Sequence, residues 1–413
     1  MISPLPSGVD LPIPPHRPSR MHSGRRYNFL VMGGALLACL VFAVANTTID
    51  PFRVTPAPWR SQVLEPYRDI ASQIRTGKAG LIRSGQWQVG LFGSSRVDNA
   101  WNPDAAGWQG KRAVNVGASG GFIYETVGIA RYFLAHQKPE LLVIGIDPGD
   151  LGNANDTRPK SDYYSSPFAG TDTLNREIRY VAGLSTFEAS MEVLQRAGQN
   201  KPGEYTPHGL RLRPEVAKSR SQMKFIRDQL RSEREDSTTG VDKDKAALLR
   251  EFLTECSRGN FQVVLIVHPV HALMHARTED LANPPAPFED IRRFLLGLTE
   301  EMNALRPGFL SYYDFCNFHP VNCEVLPEDK KGLDRMKHWN DLGHYDVELG
   351  ESVLGQALGW PITHPEWQGQ GWKITRENID EYLTFIRKGY HDYLSGPGAA
   401  DVAWKESLLR LTP

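Results

Sequence analysis

Three side chains of this sequence have the types and the spacing that acyl transfer by a serine requires. Such chemistry needs a nucleophilic hydroxyl, a base that takes its proton and a group that orients the base. Ser95 follows a short apolar run, and Asp341 precedes His344 by three residues. An aspartate at that spacing can hold the imidazole in one tautomer through a short hydrogen bond. We therefore predict Ser95, His344 and Asp341 as catalytic residues, with a helix N-cap by Asp341 as the alternative.

A glycine-rich turn could supply hydrogen-bond donors for an oxyanion. Asn115, Gly117 and Gly120 follow the second strand-like run. Glycines let a backbone N–H approach a developing negative charge closely, and such donors stabilise the transition state of acyl transfer. A tight connection between a strand and a helix is the alternative interpretation of this turn.

Two basic side chains near the predicted site are candidate substrate-binding residues. Arg96 follows the candidate nucleophile, and His271 follows a later strand that ends at the same edge of the sheet. Arg96 can instead pair with Asp147 or Asp150, and His271 can instead be a buried structural residue. The sequence leaves these alternatives open.

No metal site and no cofactor are predicted. His268 and His271 have no acidic partner close in sequence. The spacing of Cys316, His319 and Cys323 loosely resembles a zinc site, but a fourth ligand is not evident. In an oxidising compartment, Cys316 and Cys323 could instead form a disulfide.

A parallel sheet is predicted to position the candidate residues. Apolar segments alternate with helical patterns, which is typical of a doubly wound α/β domain. The predicted strands are residues 89–92, 113–116, 141–146, 263–267 and 309–313. The carboxyl ends of parallel strands meet at one edge, where such sheets bind ligands. Ser95 and the turn after Asn115 should therefore lie at that edge.

Composition and charge exclude two classes of protein. The formal net charge is -1 and no basic stripe is present, so the chain lacks the electrostatic footprint of a nucleic-acid-binding protein. With 40% hydrophobic residues among 413, it can bury a sizeable core, which excludes disorder of the whole chain. We therefore expect a globular protein without a nucleic-acid partner.

An apolar segment near the N-terminus predicts a membrane-spanning helix. No charged residue occurs from Tyr27 to Ile49, and about 20 apolar residues span a bilayer. Arginines precede this segment, whereas charges of both signs follow it, so the positive-inside rule leaves the N-terminus in the cytoplasm. Ala43-Val44-Ala45 also fits a signal-peptide cleavage site, and in either case the body of the protein is exported.

These patterns divide the chain into parts. They are residues 1–27 as a disordered cytoplasmic tail, 28–46 as a transmembrane helix or signal anchor, 47–85 as a linker, 86–360 as the α/β domain with an insertion at 151–240, and 361–413 as a C-terminal helical appendix. The insertion interrupts the rhythm of strands and helices. It could form a lid over the strand ends, where substrate contacts collect; helices with solvated faces are the alternative.

Taken in chain order, the motifs resemble the SGNH (GDSL-like) hydrolase family. Gly93-Ser94-Ser95, the turn from Asn115 to Gly120 and Asp341-Leu342-Gly343-His344 carry the resemblance. It extends over about residues 46–395, and the Asp-x-x-His block is its most specific part. The resemblance implies a flavodoxin-like three-layer α/β/α fold with a parallel five-stranded sheet. It also implies that the backbone N–H groups of Ser95 and Gly120 form the oxyanion hole.

The chain looks in particular like membrane-anchored, extracytoplasmic members of that family found with polysaccharide biosynthesis and O-acetylation systems. This implies a serine esterase or O-acyltransferase that acts on a cell-envelope or secreted polysaccharide, without a cofactor. It further implies a single-pass protein of the inner (cytoplasmic) membrane with a periplasmic C-terminal domain. The expected partners are an acylated glycan, the inner membrane and a membrane-bound acyltransferase. A non-catalytic glycan-binding or scaffold protein of an envelope polysaccharide assembly is the alternative.

Two positions depart from the pattern of the family. Ser94 stands where the family usually has an aspartate before the nucleophile. The block at residues 147–150 lacks the asparagine that supplies an oxyanion donor. The nearest asparagines that follow it are Asn153 and Asn155. Losing one such donor costs about 2.7 to 4 kcal/mol in well-studied enzymes, so Asn115 and Arg96 are candidate substitutes.

Overall fold

The computed structural model describes residues 21–55, 59–152, 158–159, 161–170, 173–212, 222–232, 240–275, 287–328, 334–361, 363–396 and 398–410. Most of the predicted N-terminal tail lies outside these residues, as do Asn153, Asn155 and part of the predicted insertion.

The described residues form one central sheet. Its strands are β1 (Val89–Phe92), β2 (Ala113–Asn115), β3 (Leu141–Ile146), β4 (Gln262–Val267), β5 (Leu310–Asp314) and β6 (Trp372–Lys373). Across the sheet they follow the order β2-β1-β3-β4-β5-β6. The first five are parallel, and β6 runs antiparallel to β5. The predicted α/β class is confirmed.

The sheet has six strands in the described residues, so the predicted count of five is corrected. The additional strand, β6, has only two residues, which pair with Tyr313 and Asp314 of β5. Two residues are too few to show the alternating pattern by which strands are recognised. The segment predicted as a C-terminal helical appendix therefore contributes an edge strand.

Helices cover both faces of this sheet. In chain order, the α-helices of the described residues are α1 (Met21–Ile49), α2 (Ile74–Ser84), α3 (Ser95–Ala100), α4 (Ile123–His136), α5 (Ser161–Ser165), α6 (Thr173–Ala182), α7 (Leu184–Gly198), α8 (Gln222–Ser232), α9 (Lys243–Ser257), α10 (Ala272–His275), α11 (Pro287–Leu305), α12 (Val347–Leu358), α13 (Ile379–Ser395) and α14 (Ala399–Arg410). Successive strand residues point to opposite faces. Ile144 accordingly packs in a cluster with α4, α9 and α11, and Val143 in one with α3 and α12.

The segment predicted as a linker, residues 47–85, is partly packed into this fold. Its helix α2 is buried from Arg75 to Ile82, and Gly80 lies directly against the backbone carbonyl of Phe52. The prolines at residues 51–66 indicate a loop, and the predicted linker extends that loop to residue 85. For this reason the helix α2 was not predicted. The helix matters for the site because it carries Lys78 beneath the turn that follows β2.

The N-terminal helix α1 is long and apolar enough from Arg25 to Ile49 to cross a membrane, although a signal sequence has the same properties. Its apolar side chains are open to the surroundings, as the 75% exposure of Phe29 shows. Its C-terminal end packs on the insertion: Phe42 contacts Phe187 of α7, and the Asn46 amide donates to the carbonyl of Val181 at 3.0 Å. This part of the insertion therefore lies against α1.

Candidate active site

Ser95 is positioned by a sharp turn between β1 and α3. Gly93 has a φ of 148°, and an added Cβ would lie 2.6 Å from the Val97 side chain and 3.0 Å from the carbonyl oxygen of Gly145. Only glycine fits such a position without strain. Ser94 then caps α3, because its Oγ accepts a hydrogen bond from the backbone N–H of Arg96 at 3.3 Å. Ser95 is the first residue of the helix and is partly exposed at the carboxyl edge of the sheet.

The aspartate and the histidine belong to one tight turn before α12. Asp341 Oδ1 accepts backbone N–H groups from Gly343 at 2.8 Å and from His344 at 2.9 Å. The same carboxylate lies 2.9 Å from His344 Nδ1. Asp346, rather than Asp341, caps α12 by accepting the N–H of Leu349 at 2.8 Å. Asp341 therefore fixes both the turn and the imidazole.

Ser95 and His344 meet although they are 249 residues apart in the chain. Ser95 Oγ lies 2.7 Å from His344 Nε2, which is hydrogen-bond distance for a nucleophile and its base. Because Asp341 engages Nδ1, the proton of a neutral imidazole belongs on Nδ1 and Nε2 is left as the acceptor. The three side chains predicted to be catalytic thus form one hydrogen-bonded chain.

Arg96 connects the turn that carries Ser95 to the turn that carries His344. Its Nη1 lies 2.6 Å from Asp147 Oδ2, and its Nε donates to the carbonyl of Gly343 at 2.6 Å. Ser94 Oγ donates to the other oxygen of Asp147 at 3.0 Å. Burial by itself would raise the pKa of Asp147, but the Arg96 charge and the hydrogen bonds from Arg96 and Ser94 are among the contributions that together lower it. Of the two roles open to Arg96 in the sequence, the structure shows the pairing with Asp147.

Asp150 is a second buried carboxyl beside this pair. It accepts the backbone N–H of Ile123 at the start of α4 at 3.0 Å. Burial, and then repulsion from Asp147, raise the pKa of Asp150 to about 7. The site therefore contains one carboxylate held charged and a neighbour that binds a proton near neutral pH.

His268 lies near His344 and was not predicted as a site residue. Its Nδ1 is 2.7 Å from the hydroxyl of Tyr345, and its ring packs against Trp101. Burial lowers the pKa of His268 to about 3, so this histidine is neutral at physiological pH. A histidine directly after a buried strand is the only sequence signal that could have indicated it.

The glycine-rich turn after β2 lies beside the turn that carries Ser95. The N–H of Ala118 donates to the carbonyl of Gly93 at 2.9 Å, and Gly120 has a left-handed φ of 69°. Asn115, a predicted oxyanion donor, is fully buried, and its amide donates to the carbonyls of Val97 and Trp101 at 2.7 and 2.8 Å. Both N–H groups of that amide are thus engaged, so Asn115 holds the end of α3 and is not placed to serve an oxyanion.

A buried ion pair supports both turns from below. Lys78 Nζ lies 2.8 Å from Asp98 Oδ1, and both side chains are fully buried. Asp98 Oδ2 accepts hydrogen bonds from Ser119 Oγ and from the Tyr205 hydroxyl, each at 2.9 Å. Burial lowers the pKa of Lys78. Asp98 follows Ser95 by three residues, and this helical spacing is the only sequence signal that could have found it.

His271 does not face the site. It is fully buried, and its Nε2 lies 2.6 Å from the carbonyl oxygen of Glu324 while its Nδ1 accepts the N–H of Leu273 at 3.2 Å. The predicted substrate-binding role is corrected to that of a structural histidine, because burial removes it from any ligand. Cys316 and Cys323 are free thiols in the structure, so the possible disulfide is not formed.

No protein-family model and no curated protein matches the chain. One similar solved structure is a candidate acylhydrolase from Bacteroides fragilis NCTC 9343, with 11% identity, a TM-score of 0.30 and coverage of 76% of this chain and 97% of that chain. Another is a candidate platelet activating factor from Streptococcus pneumonia, with 10% identity, a TM-score of 0.28 and coverage of 70% and 90%. Similarities this low identify no family.

Proposed function

We propose that the protein is a serine-dependent ester hydrolase or O-acyltransferase. The observation that carries the proposal is a pair of linked hydrogen-bond contacts. Ser95 Oγ lies 2.7 Å from His344 Nε2, and His344 Nδ1 lies 2.9 Å from Asp341. Acyl transfer by a serine needs a nucleophile hydrogen-bonded to a base, and a further group that orients the base. Arg96 and Asp147 add rigidity, because they tie the two turns together.

In this mechanism, Ser95 Oγ attacks the carbonyl carbon of an ester while His344 Nε2 takes the hydroxyl proton. The tetrahedral intermediate collapses to an acyl-enzyme, and His344 gives the proton to the departing alcohol. Water or a sugar hydroxyl then attacks the acyl carbon while His344 Nε2 takes its proton. The bond from the acyl carbon to Ser95 Oγ breaks, and His344 returns the proton to Ser95. Asp341 holds the imidazole in the Nδ1–H form and stabilises its protonated form.

The backbone N–H groups of Ser95 and Gly120 are the proposed oxyanion donors. Ser95 begins α3, where the first N–H groups have no partner within the helix. The glycine turn is joined to the Ser95 turn by the hydrogen bond between Ala118 and Gly93. Developing negative charge next to such donors is stabilised because they are already oriented.

We infer further that the chain is an SGNH-like protein and that its ester lies on a cell-envelope or secreted polysaccharide. The Asp-x-x-His block and a parallel sheet ordered 2-1-3-4-5 support the first inference. The polysaccharide, a membrane-bound acyltransferase as partner and a periplasmic position behind a single-pass inner-membrane helix follow from the resemblance. The apolar helix α1 supports the membrane position.

A non-catalytic glycan-binding or scaffold protein is the second candidate function. One observation favours it: the side chain at position 147, in the block where the family has an oxyanion donor, is a carboxylate committed to Arg96. An acceptor with a negative charge does not stabilise an oxyanion. The two candidates differ in whether Ser95 is chemically activated.

The test is covalent labelling together with hydrolysis of p-nitrophenyl acetate by the purified full-length protein in detergent. A fluorophosphonate probe reacts with an activated serine whether or not the acceptor sugar is present. We expect an adduct on Ser95 and ester hydrolysis in the wild type. Ser95→Ala and His344→Ala should lower the hydrolysis by roughly 10³-fold or more, and Asp341→Asn by roughly 10²- to 10⁴-fold.

Ser395→Ala is the matched control, because Ser395 is an exposed serine on α13 whose hydroxyl donates to the carbonyl of His391 in its own helix. It should label and hydrolyse like the wild type. Absence of labelling at Ser95 in a folded wild-type protein would reject the catalytic proposal and favour the scaffold.

A further inference from the structure

A second cluster of chemically active side chains lies at the base of the turn that carries His344. His338, Asp346 and Glu348 each offer one ligand atom, and these atoms all lie within 4.8 Å of one another. His338 Nδ1 is 3.6 Å from Asp346 Oδ2 and 3.8 Å from Glu348 Oε2. These separations are too long for hydrogen bonds. None of the three was predicted as a site residue.

The histidine of this cluster has a buried nitrogen that the described residues around it leave unpaired. His338 is only 8% exposed, and its Nδ1 has no hydrogen-bond partner among the residues that the structure describes. Buried polar atoms nearly always have a partner, so such an atom calls for an explanation. The ring is held by Trp367, whose plane meets it edge-on with centroids 4.7 Å apart. Its free nitrogen is nearest to the two carboxylates.

The distances fit a cation between the three groups better than direct contact. Two ligand atoms of a tetrahedral zinc ion with bonds of about 2.0 to 2.2 Å are roughly 3.4 Å apart, close to the separations of 3.6 and 3.8 Å. Asp346 Oδ1 already caps α12, which leaves Oδ2 for an ion. Glu348 is half-exposed, so water can complete the coordination.

Neighbouring side chains hold the outer carboxylate in place. His364 Nε2 lies 2.9 Å from Glu348 Oε1, and His364 Nδ1 lies 3.3 Å from Glu366. The His364 ring stacks on Trp367 with centroids 4.0 Å apart. Partners of this kind orient metal ligands and raise affinity. The cluster therefore has ligands and a supporting layer.

We propose that His338, Asp346 and Glu348 bind one divalent transition-metal ion of the zinc class. One imidazole and two carboxylates suit zinc and its neighbours better than calcium or magnesium, which prefer oxygen ligands alone. His338 precedes the catalytic turn and Asp346 follows it, and the N–H of Asp346 donates to the carbonyl of His338 at 2.9 Å. The bound ion clamps both ends of the turn that holds Asp341 and His344.

Direct metal titration tests this site independently of any esterase activity. Full-length protein without a polyhistidine tag is purified in detergent, treated with a chelator and titrated with Co²⁺ and then with Zn²⁺. We expect visible d–d absorption bands that saturate at one Co²⁺ per chain and disappear when Zn²⁺ displaces it. Glu348→Gln and Asp346→Asn should each weaken the affinity at least tenfold. Asparagine at 346 can still cap α12.

His391→Ala is the control, because His391 lies exposed on α13. This variant should bind Co²⁺ with the same affinity as the wild type. The near-UV circular dichroism of each variant reports that it is folded. A wild-type protein that shows no saturable Co²⁺ binding would overturn the proposal. Equal affinity in the wild type and in both folded carboxylate variants would overturn it as well.

Discussion

Asp341 shows how much one residue does at this site. Its carboxylate accepts two backbone N–H groups of its own turn and also holds His344 Nδ1. Because one group fixes the turn and the imidazole together, the histidine has little freedom to leave Ser95. The orientation of the His344 ring is therefore set within four consecutive residues, so the spacing of Asp341 and His344 in the sequence was enough to predict it.

At the same scale, Asp150 should make the stability of the protein depend on pH. Its pKa is about 7 in the folded protein and 3.8 is the ordinary value, so between these values the folded state holds a proton that the unfolded state has released. Stability is therefore lost as the pH rises through this window. Asp150→Asn stays neutral and can still accept the N–H of Ile123. We expect the difference in free energy of unfolding between Asp150→Asn and the wild type to shift in favour of the variant by on the order of 4 kcal/mol from about pH 4 to pH 8.

Urea unfolding of both proteins across that pH range measures the effect. Asp380→Asn is the control, because Asp380 is 82% exposed and its replacement should leave the pH profile unchanged. Parallel profiles for the wild type and Asp150→Asn would contradict the expectation.

At the scale of elements, the site depends on how α2 and α3 are joined below the sheet edge. Lys78 of α2 also donates to the carbonyls of Asn115 and Gly209, the second at 2.6 Å. The Lys78–Asp98 pair thus links α2, α3, the turn after β2 and part of the insertion. A change in this pair should move Ser95 and Gly120 relative to each other.

We expect Lys78→Met to destabilise the protein by about 3 to 5 kcal/mol, because it leaves the Asp98 carboxylate buried without its cation. Lys111→Met is a matched control: Lys111 and Glu140 are also 2.8 Å apart, but both are 50% exposed. An exposed pair contributes about 0 to 1 kcal/mol. Urea unfolding distinguishes the two, and equal losses in both variants would show that burial does not govern the Lys78 pair.

At the scale of the whole molecule, α1 connects the α/β domain to the proposed membrane. The helix continues without a break through Ala43-Val44-Ala45 to Ile49. Its last turns contact the insertion through Phe42 and Asn46. Cleavage after Ala45 would remove Phe42 from that contact. We therefore favour an uncleaved anchor over a signal peptide.

An uncleaved anchor predicts that the protein stays with the membrane pellet after carbonate extraction and keeps its original N-terminus. Replacing Leu36 and Leu37 by arginine should release it, because each arginine costs about 2.5 to 3.5 kcal/mol at the centre of a membrane helix. Both leucines lie in the exposed apolar part of α1. N-terminal sequencing gives the opposing result directly: a mature protein that begins at Asn46 would identify a cleaved signal peptide.

Local patterns were sufficient for much of the sheet. β1 and β3 have the predicted bounds, because unbroken apolar runs are what strands covered on both faces require. The two-residue strand β6 and the buried helix α2 were not predicted, since their burial depends on partners distant in sequence. Asn115 and His271 are residue types that occur in catalytic and binding sites, but here their side chains contact backbone carbonyl groups.

The sequence by itself determined the α/β class, the apolar N-terminal helix and the identity of Ser95, Asp341 and His344 as candidates. These are properties of short segments, because a strand end and a spacing of three residues are local. Only the tertiary structure decided that Ser95 reaches His344, that Arg96 pairs with Asp147 and that His338 lies close to two carboxylates. A hydrogen bond or a metal site needs atoms placed within a few tenths of an ångström, and the packing of distant segments sets those positions.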